Sequence, residues 1–240
     1  MQVNEKVYWI LEGEREAISF KDLQPDEILG PQELDRWREM RFQKRKDEFL
    51  FGRYTAKRLL TAGIFPWAHQ EFRSFDILNE TEGAPYLNKL ENQGSISISH
   101  RAGLAAAACY FGSDHQIGID LELIETRDRS FIEDFFTENE ARSAQCLSEP
   151  ERSIWVTLMW SAKEAVLKAW RKGLRIDTRT IEIQPIPKEE IHLLKKDWIE
   201  IQTKVEDTTF PPCTLFGRVL GDRVLTLAFT SQRAEIVRLC

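Results

Sequence analysis

Apolar residues recur along this chain with two periods, and the switches between them outline its elements. EKVYWILE (5–12), FRSFDIL (72–78) and GSISISH (94–100) read as strands. GLAAAACYF (103–111) is apolar almost throughout; its shortness and flanking glycines favour a buried strand despite the alanines. The stretch from Pro31 to Leu60 has a helical pattern, and NETEGAPYL (79–87) holds the Gly and Pro of a turn. The order then returns. FIEDFFTENEARSAQCL (131–147) is helical, with Thr137 and Glu140 spaced as a capping box. SIWVTLMWSAKEAVLKAWRKG (153–173) is a strongly amphipathic helix with Gly173 as its stop. Strands follow at 179–185, 197–205, 214–221 and 223–230.

Helices followed by strands, twice, predict an α+β fold of two similar halves, residues 1–115 and 116–240, with a cleft between them. No Pro/Ser-rich or low-complexity linker divides them. At 240 residues, 42% hydrophobic with 7 Trp and 14 Phe, the chain can build a sizeable core.

IGIDLELIE (117–125) breaks its own alternation. Ile117, Ile119, Leu121 and Leu123 share one strand face, which leaves Asp120 and Glu122 side by side on the other. At roughly 100° per residue, Ser161, Glu164, Lys168 and Arg171 share a narrow arc of the helix beginning at 153, opposite a broad apolar arc. Glu164 and Lys168 read equally as a surface ion pair worth about 0.3–0.5 kcal/mol. Adjacent carboxylates repel unless a hard dication sits between them, and Mg²⁺ takes oxygen ligands while keeping sites for phosphate. Asp120, Glu122 and Glu164 would form such a site, and Lys168 could reach a phosphate bound there.

The formal charge of −6 argues against nucleic acid as a partner. Against that balance, Arg36, Arg38, Arg41, Lys44, Arg45, Lys46, Arg53, Lys57 and Arg58 form a basic cluster, either a solvated helix face or a polyanion receptor. Cys109, Cys146, Cys213 and Cys240 form no CxxC pair, which fits a reducing compartment and neither a zinc site nor a disulfide framework. The opening residues lack the order of a signal peptide, and the longest uncharged stretch is too short to span a bilayer. A cytoplasmic protein without membrane attachment is expected.

GSISISH, IGIDLE and WSAKEAVLKAW, in this order and spacing, resemble the 4'-phosphopantetheinyl transferases of the surfactin-synthetase-activating type; EFLFGRYTAKRLL and EGAPYL fit two weaker motifs of that family. The likeness covers roughly residues 35 to 175. It implies a pseudo-twofold pair of α+β halves in a monomer that moves the phosphopantetheine arm of coenzyme A onto an acyl- or peptidyl-carrier protein. It further implies Mg²⁺ on Asp120, Glu122 and Glu164, with Asp120, Glu164 and Lys168 catalytic and Lys168 on a pyrophosphate oxygen. His100 with Ser99, and Arg53, fall at the 3'-phosphate end. By the same likeness the loop Glu82-Gly83-Ala84-Pro85-Tyr86 would lie along the adenine, Ala84 standing where most relatives carry lysine. Lys163 is carried over as a coenzyme A contact although it points about 100° away from the Glu164 arc. Arg171, Lys172 and the apolar residues of FIEDFF are candidates for a carrier-protein rim. Another Mg²⁺-dependent nucleotide enzyme, or a non-catalytic interaction protein, are the alternative readings.

Overall fold

The computed structural model describes residues 5–13, 22–62, 69–87, 94–111, 115–205, 207–230 and 234–239. They form an α+β protein in two compact units, one of residues up to His115 together with those from Ala234, the other running from Gln116 to Arg233.

The first unit is a four-stranded sheet in the order β12-β1-β5-β4. It comprises β1 (Glu5–Gly13), β4 (Gly94–Arg101), β5 (Leu104–Phe111) and β12 (Ala234–Arg238). β5 runs antiparallel to both β1 and β4, while β12 is parallel to β1. The alanines of β5 are fully buried: Ala105 through Ala108 show no exposure, and their small size lets helix α3 (Gln43–Thr61) settle on the sheet. Ile10, Ala56, Leu59, Leu60, Ile77, Ile96 and Ala107 make the core beneath it. Before α3 come α1 (Pro25–Ile28) and α2 (Pro31–Glu39); after it, a hairpin of β2 (Ile77–Asn79) and β3 (Pro85–Leu87).

The second unit repeats the plan. Its sheet is wholly antiparallel, in the order β6-β11-β10-β8: β6 (Ile117–Leu123), β8 (Ile199–Ile201), β10 (Thr214–Leu220) and β11 (Arg223–Phe229). α4 (Arg129–Phe135) and α5 (Glu138–Gln145) precede the long α6 (Glu151–Ala169), and β7 (Ile181–Ile183) pairs with β9 (Thr203–Val205) in a small separate sheet.

A shared polar tie shows the repeat in atomic detail. Glu33 caps α2 by accepting from the Gly30 amide and also accepts from the Ile77 amide, while Lys57 Nζ sits 2.5 Å from its Oε2. Glu140 does the same for α5: it accepts from the Thr137 and Ile183 amides and pairs with Lys163 Nζ at 2.8 Å. Each buried carboxylate thus joins a helix start, the first strand of a small sheet and the long helix. Thr137 Oγ1 also accepts from the Glu140 amide, completing the expected capping box.

Several expectations need correction. The helix over 31–60 is two, parted at Met40–Phe42, and that over 131–147 is two, parted where Thr137 caps α5. Residues Phe72–Ser74 form a 3₁₀ turn ahead of the short β2, and 197–205 divides into strands of different sheets. α6 ends at Ala169, ahead of Gly173: Trp170 caps it, and Arg171, at φ 58°, breaks the helix while the Lys172 amide bonds back to Leu167 O. The final strand was not anticipated, and it removes residues 234–239 from the second half. Its backbone groups satisfy the open edge of β1. Among the described residues no helix is long and apolar enough to cross a membrane. Cys240 lies outside the described residues.

Candidate active site

In the second unit the site begins with a glycine. A Cβ on Gly118 would stand 1.9 Å from Ala165 O and 2.6 Å from Ala169 N, so the backbone of α6 rests directly on β6. Strand alternation then places Asp120 and Glu122 on this same helix-facing side. Asp120 is only 4% exposed, and its Oδ1 accepts from Lys168 Nζ at 2.7 Å. Lys168 donates as well to Ile119 O at 3.1 Å. Across the ladder from Asp120 stands Thr226, whose hydroxyl bonds to Ser161 of α6. Ser161, on the predicted polar arc, is therefore buried structure, and Arg171 donates to Gln116 Oε1.

Glu122 Oε1 accepts from the Trp160 indole at 3.2 Å, and its Oε2 lies 3.5 Å from an Arg127 nitrogen. Trp160 packs edge-on to Phe131 and Phe135, and Arg127 lies over the Phe131 ring. Trp160 opens the WSAKEAVLKAW motif, but nothing in sequence spacing links it to position 122, and Arg127 carries no sequence signal. Glu164 is half-buried, and burial pushes its carboxyl up to about 7; Asp120 and Glu122 push the same way, and Lys168 opposes them.

Asp120, Glu122, Glu164 and Lys168 thus do fall in one place. As donors the three carboxylates suit a hard dication in chemistry, since all supply oxygen ligands, though burial more than their mutual repulsion raises Glu164. Their arrangement holds the charge another way, with Lys168 on Asp120. Among the described residues no three His, Cys, Asp or Glu side chains converge as a metal-holding group.

Lys163 belongs elsewhere. Fully buried, it pairs with Glu140 and donates to Thr178 O and Ile181 O at 2.9 and 2.7 Å, so it cannot be the expected coenzyme A contact. Burial lowers its pKa, and Glu140 resists that shift.

The first unit carries a pocket of about 210 Å³, lined by Arg36, Arg45, Arg53, Asn79, Gly83 and His100, with Glu48 as an acidic member of the same wall. Gly52 of α3 lies against Ile98 and His100; a Cβ there would meet Ile98 Cγ2 at 3.2 Å, which is how the helix approaches the strand end. Arg53 is 6% exposed, pairs through Nε with Glu33 at 3.0 Å and lies over the Phe49 ring. Burial lowers its pKa to about 10, against the pull of Glu33. Gly83, at φ 97°, turns β2 into β3 and presents its carbonyl to Asn79; Pro85 lines the pocket too.

Two expected residues are not among the pocket's lining. Ser99 is buried on the face of β4 opposite His100, as a two-residue period requires, and Ala84 closes the turn by accepting from the Glu80 amide. The basic cluster also divides. Lys57 donates to Ile28 O, Phe72 O and Phe75 O besides Glu33, which makes it structural and unfit as an anion receptor. Arg58 pairs with Glu12, and Arg38 with Asp35 and Asp26, whereas Arg36, Arg45 and Arg53 face the pocket.

Two family models match successive parts of the chain. A family model described as the 4'-phosphopantetheinyl transferase superfamily matches residues 116–228, and another, the 4'-phosphopantetheinyl transferase N-terminal domain, matches 39–110. The holo-[acyl-carrier-protein] synthase of Streptococcus sanguinis (strain SK36) is 39% identical over 87 residues, which are 34% of this chain and 69% of that one. The chain belongs to the 4'-phosphopantetheinyl transferase superfamily. A second member, the holo-[acyl-carrier-protein] synthase of Streptococcus suis (strain 05ZYH33), is 33% identical over 87 residues, 35% of this chain and 72% of its own. The crystal structure of Thermotoga maritima holo-[acyl-carrier-protein] synthase aligns with a TM-score of 0.39 at 18% identity, over 49% of this chain and 64% of that one. The region matched to the superfamily model holds β6 and α6, and so all four charged residues of the second-unit site.

Proposed function

We propose that this transferase moves the 4'-phosphopantetheine arm of coenzyme A onto a serine of an apo acyl- or peptidyl-carrier protein, as a member of the two-unit, surfactin-synthetase-activating type. The observation that carries the reading is the grouping of Asp120, Glu164 and Lys168, with Glu122 beside them, inside the region matched to the superfamily. The N-terminal domain match supports the two-unit type.

In the reaction the serine oxygen bonds to the β-phosphorus of coenzyme A. The bond from that phosphorus to the bridging oxygen breaks, and adenosine 3',5'-bisphosphate leaves with the electron pair. Such transfers depend on positioning and charge neutralisation more than on covalent help. Asp120, Glu122 and Glu164 would hold Mg²⁺, which supplies neutralisation of the pyrophosphate. Lys168, released from Asp120, puts a cation on the departing phosphate. Glu164, or a water that it would orient, is the candidate for the general base that takes the serine proton. The cationic pocket of the first unit suits the nucleotide's 3'-phosphate, with Arg53 and His100 as its receptors.

The test is mass spectrometry of an apo carrier protein incubated with this protein, coenzyme A and Mg²⁺. A gain of one phosphopantetheine arm is expected, abolished in Asp120→Ala. No gain across fatty-acid, polyketide and peptide-synthetase carriers would overturn the reading. Competition by other nucleotides as strong as by coenzyme A would favour a different phosphate chemistry.

A further inference from the structure

Asn79, at the end of β2, makes three hydrogen bonds with one side chain. Its Oδ1 accepts from Arg36 at 2.9 Å and from Arg53 at 2.5 Å, and its Nδ2 donates to Gly83 O at 2.6 Å. Only this orientation of the amide serves all three, since guanidinium groups cannot accept and a carbonyl cannot donate. The two arginines come from different helices, α2 and α3, and both lie against the ring of Phe49, at 5.8 and 4.6 Å from its centroid. Two like charges are therefore gathered on one neutral acceptor at the wall of the cationic pocket, with the turn that carries Gly83 tied to the same side chain.

Charge explains the choice of an amide. A carboxylate at this position would hold both guanidiniums more tightly, but it would cancel charge that an anion must meet, and it could not donate to Gly83. A neutral acceptor fixes the arginines and adds no negative charge to that of Glu33, which pairs with Arg53, and of Glu48 on the pocket wall.

We infer that Asn79 is a positioning residue for anion recognition: it aims Arg36, Arg53 and the Gly83 turn at the phosphate monoester of the nucleotide. The inference rests on the reading of this pocket as the 3'-phosphate site.

The test compares KM and kcat for coenzyme A and 3'-dephospho-coenzyme A in the wild type, Asn79→Ala and Asn79→Asp, alongside thermal melting. Asn79→Ala should raise KM for coenzyme A about tenfold, the loss of roughly one charge-assisted hydrogen bond's worth of alignment. KM for the dephospho form and kcat with either substrate should stay within about twofold. Asn79→Asp should also lose discrimination, because its carboxylate competes with the phosphate for the same guanidiniums. A wild type that does not prefer the 3'-phosphate would sink the reading of the pocket and the inference with it. A wild type that prefers it, with Asn79→Ala keeping the same ratio, would sink the inference alone. A uniform fall in kcat and melting temperature with both substrates would show a merely structural side chain and overturn it as well.

Discussion

Glu164 and Gly118 show how single positions set this site. The Glu164 carboxyl ionises near 7 in the folded protein against an ordinary 4.5, chiefly because it is buried. Between those values the folded chain holds a proton that the unfolded chain has lost, so this group makes stability fall as pH rises from about 4.5 to about 7. With a chelator present, Glu164→Gln should be indistinguishable in stability from the wild type near pH 4, and more stable by about 3 kcal/mol at pH 8. Urea melts across that range check it; a pH-independent difference would contradict the shift. At Gly118 the helix backbone fills the space of a Cβ. Gly118→Ala should cost about 3 kcal/mol, the upper end of overpacking penalties, and should disturb transfer by lifting α6 from Asp120.

At the scale of elements, two devices decide how the pieces join. The β4–β5 hairpin turns on Ala102 and Gly103, at φ 46° and 81°, where glycine or asparagine is the unstrained choice. Ala102→Gly should stabilise the protein by about 1 kcal/mol, read as a shift of the urea midpoint with an unchanged slope; a loss of stability would mean that the turn is not held as described. The lysine–glutamate ties are the second device. Lys163→Ala leaves Glu140 buried and uncompensated and should cost about 3–5 kcal/mol. If it instead left stability intact and raised KM for coenzyme A, Lys163 would be a ligand contact after all. The residue following each tied lysine marks where the repeats diverge. In the first unit it is Arg58, ion-paired with Glu12; in the second it is Glu164, among carboxylates.

For the molecule as a whole, the notable economy is the return of the chain's end to its beginning. β12 lies parallel to β1 and shields an edge of the first unit's sheet, although it follows the whole second unit in sequence. Removing residues 234–240 should speed hydrogen exchange at the amides of Val7 and Trp9 while leaving those of β11 protected. Equal protection of both sheets after truncation would show that β12 contributes nothing to β1. The net charge of −6 conceals a first-unit pocket with three arginines, a contrast that composition alone averages away.

Much of this was legible in one dimension. Strand period two placed Asp120 beside Glu122 and helical period placed Glu164 beside Lys168, because both patterns are local consequences of backbone geometry. The α+β order, the doubling of the plan and the Thr137–Glu140 cap were readable for the same reason. What local pattern could not decide was which charges meet across distance. Helical period set Lys163 off the arc of Lys168 but could not name their partners: one closes a buried tie with Glu140 and the other lies on Asp120. Lys57 and Arg53 belong to one basic run, yet only Arg53 reaches the pocket. The contacts of Asn79 with Arg53, of Trp160 with Glu122 and of β12 with β1 were not legible, because these partners lie tens to hundreds of residues apart. Residue identity and period determined the elements and the candidate chemistry. The tertiary structure alone decided which of these charged side chains tie elements together and which remain for a substrate, since burial and distance set the sign and size of every electrostatic contact.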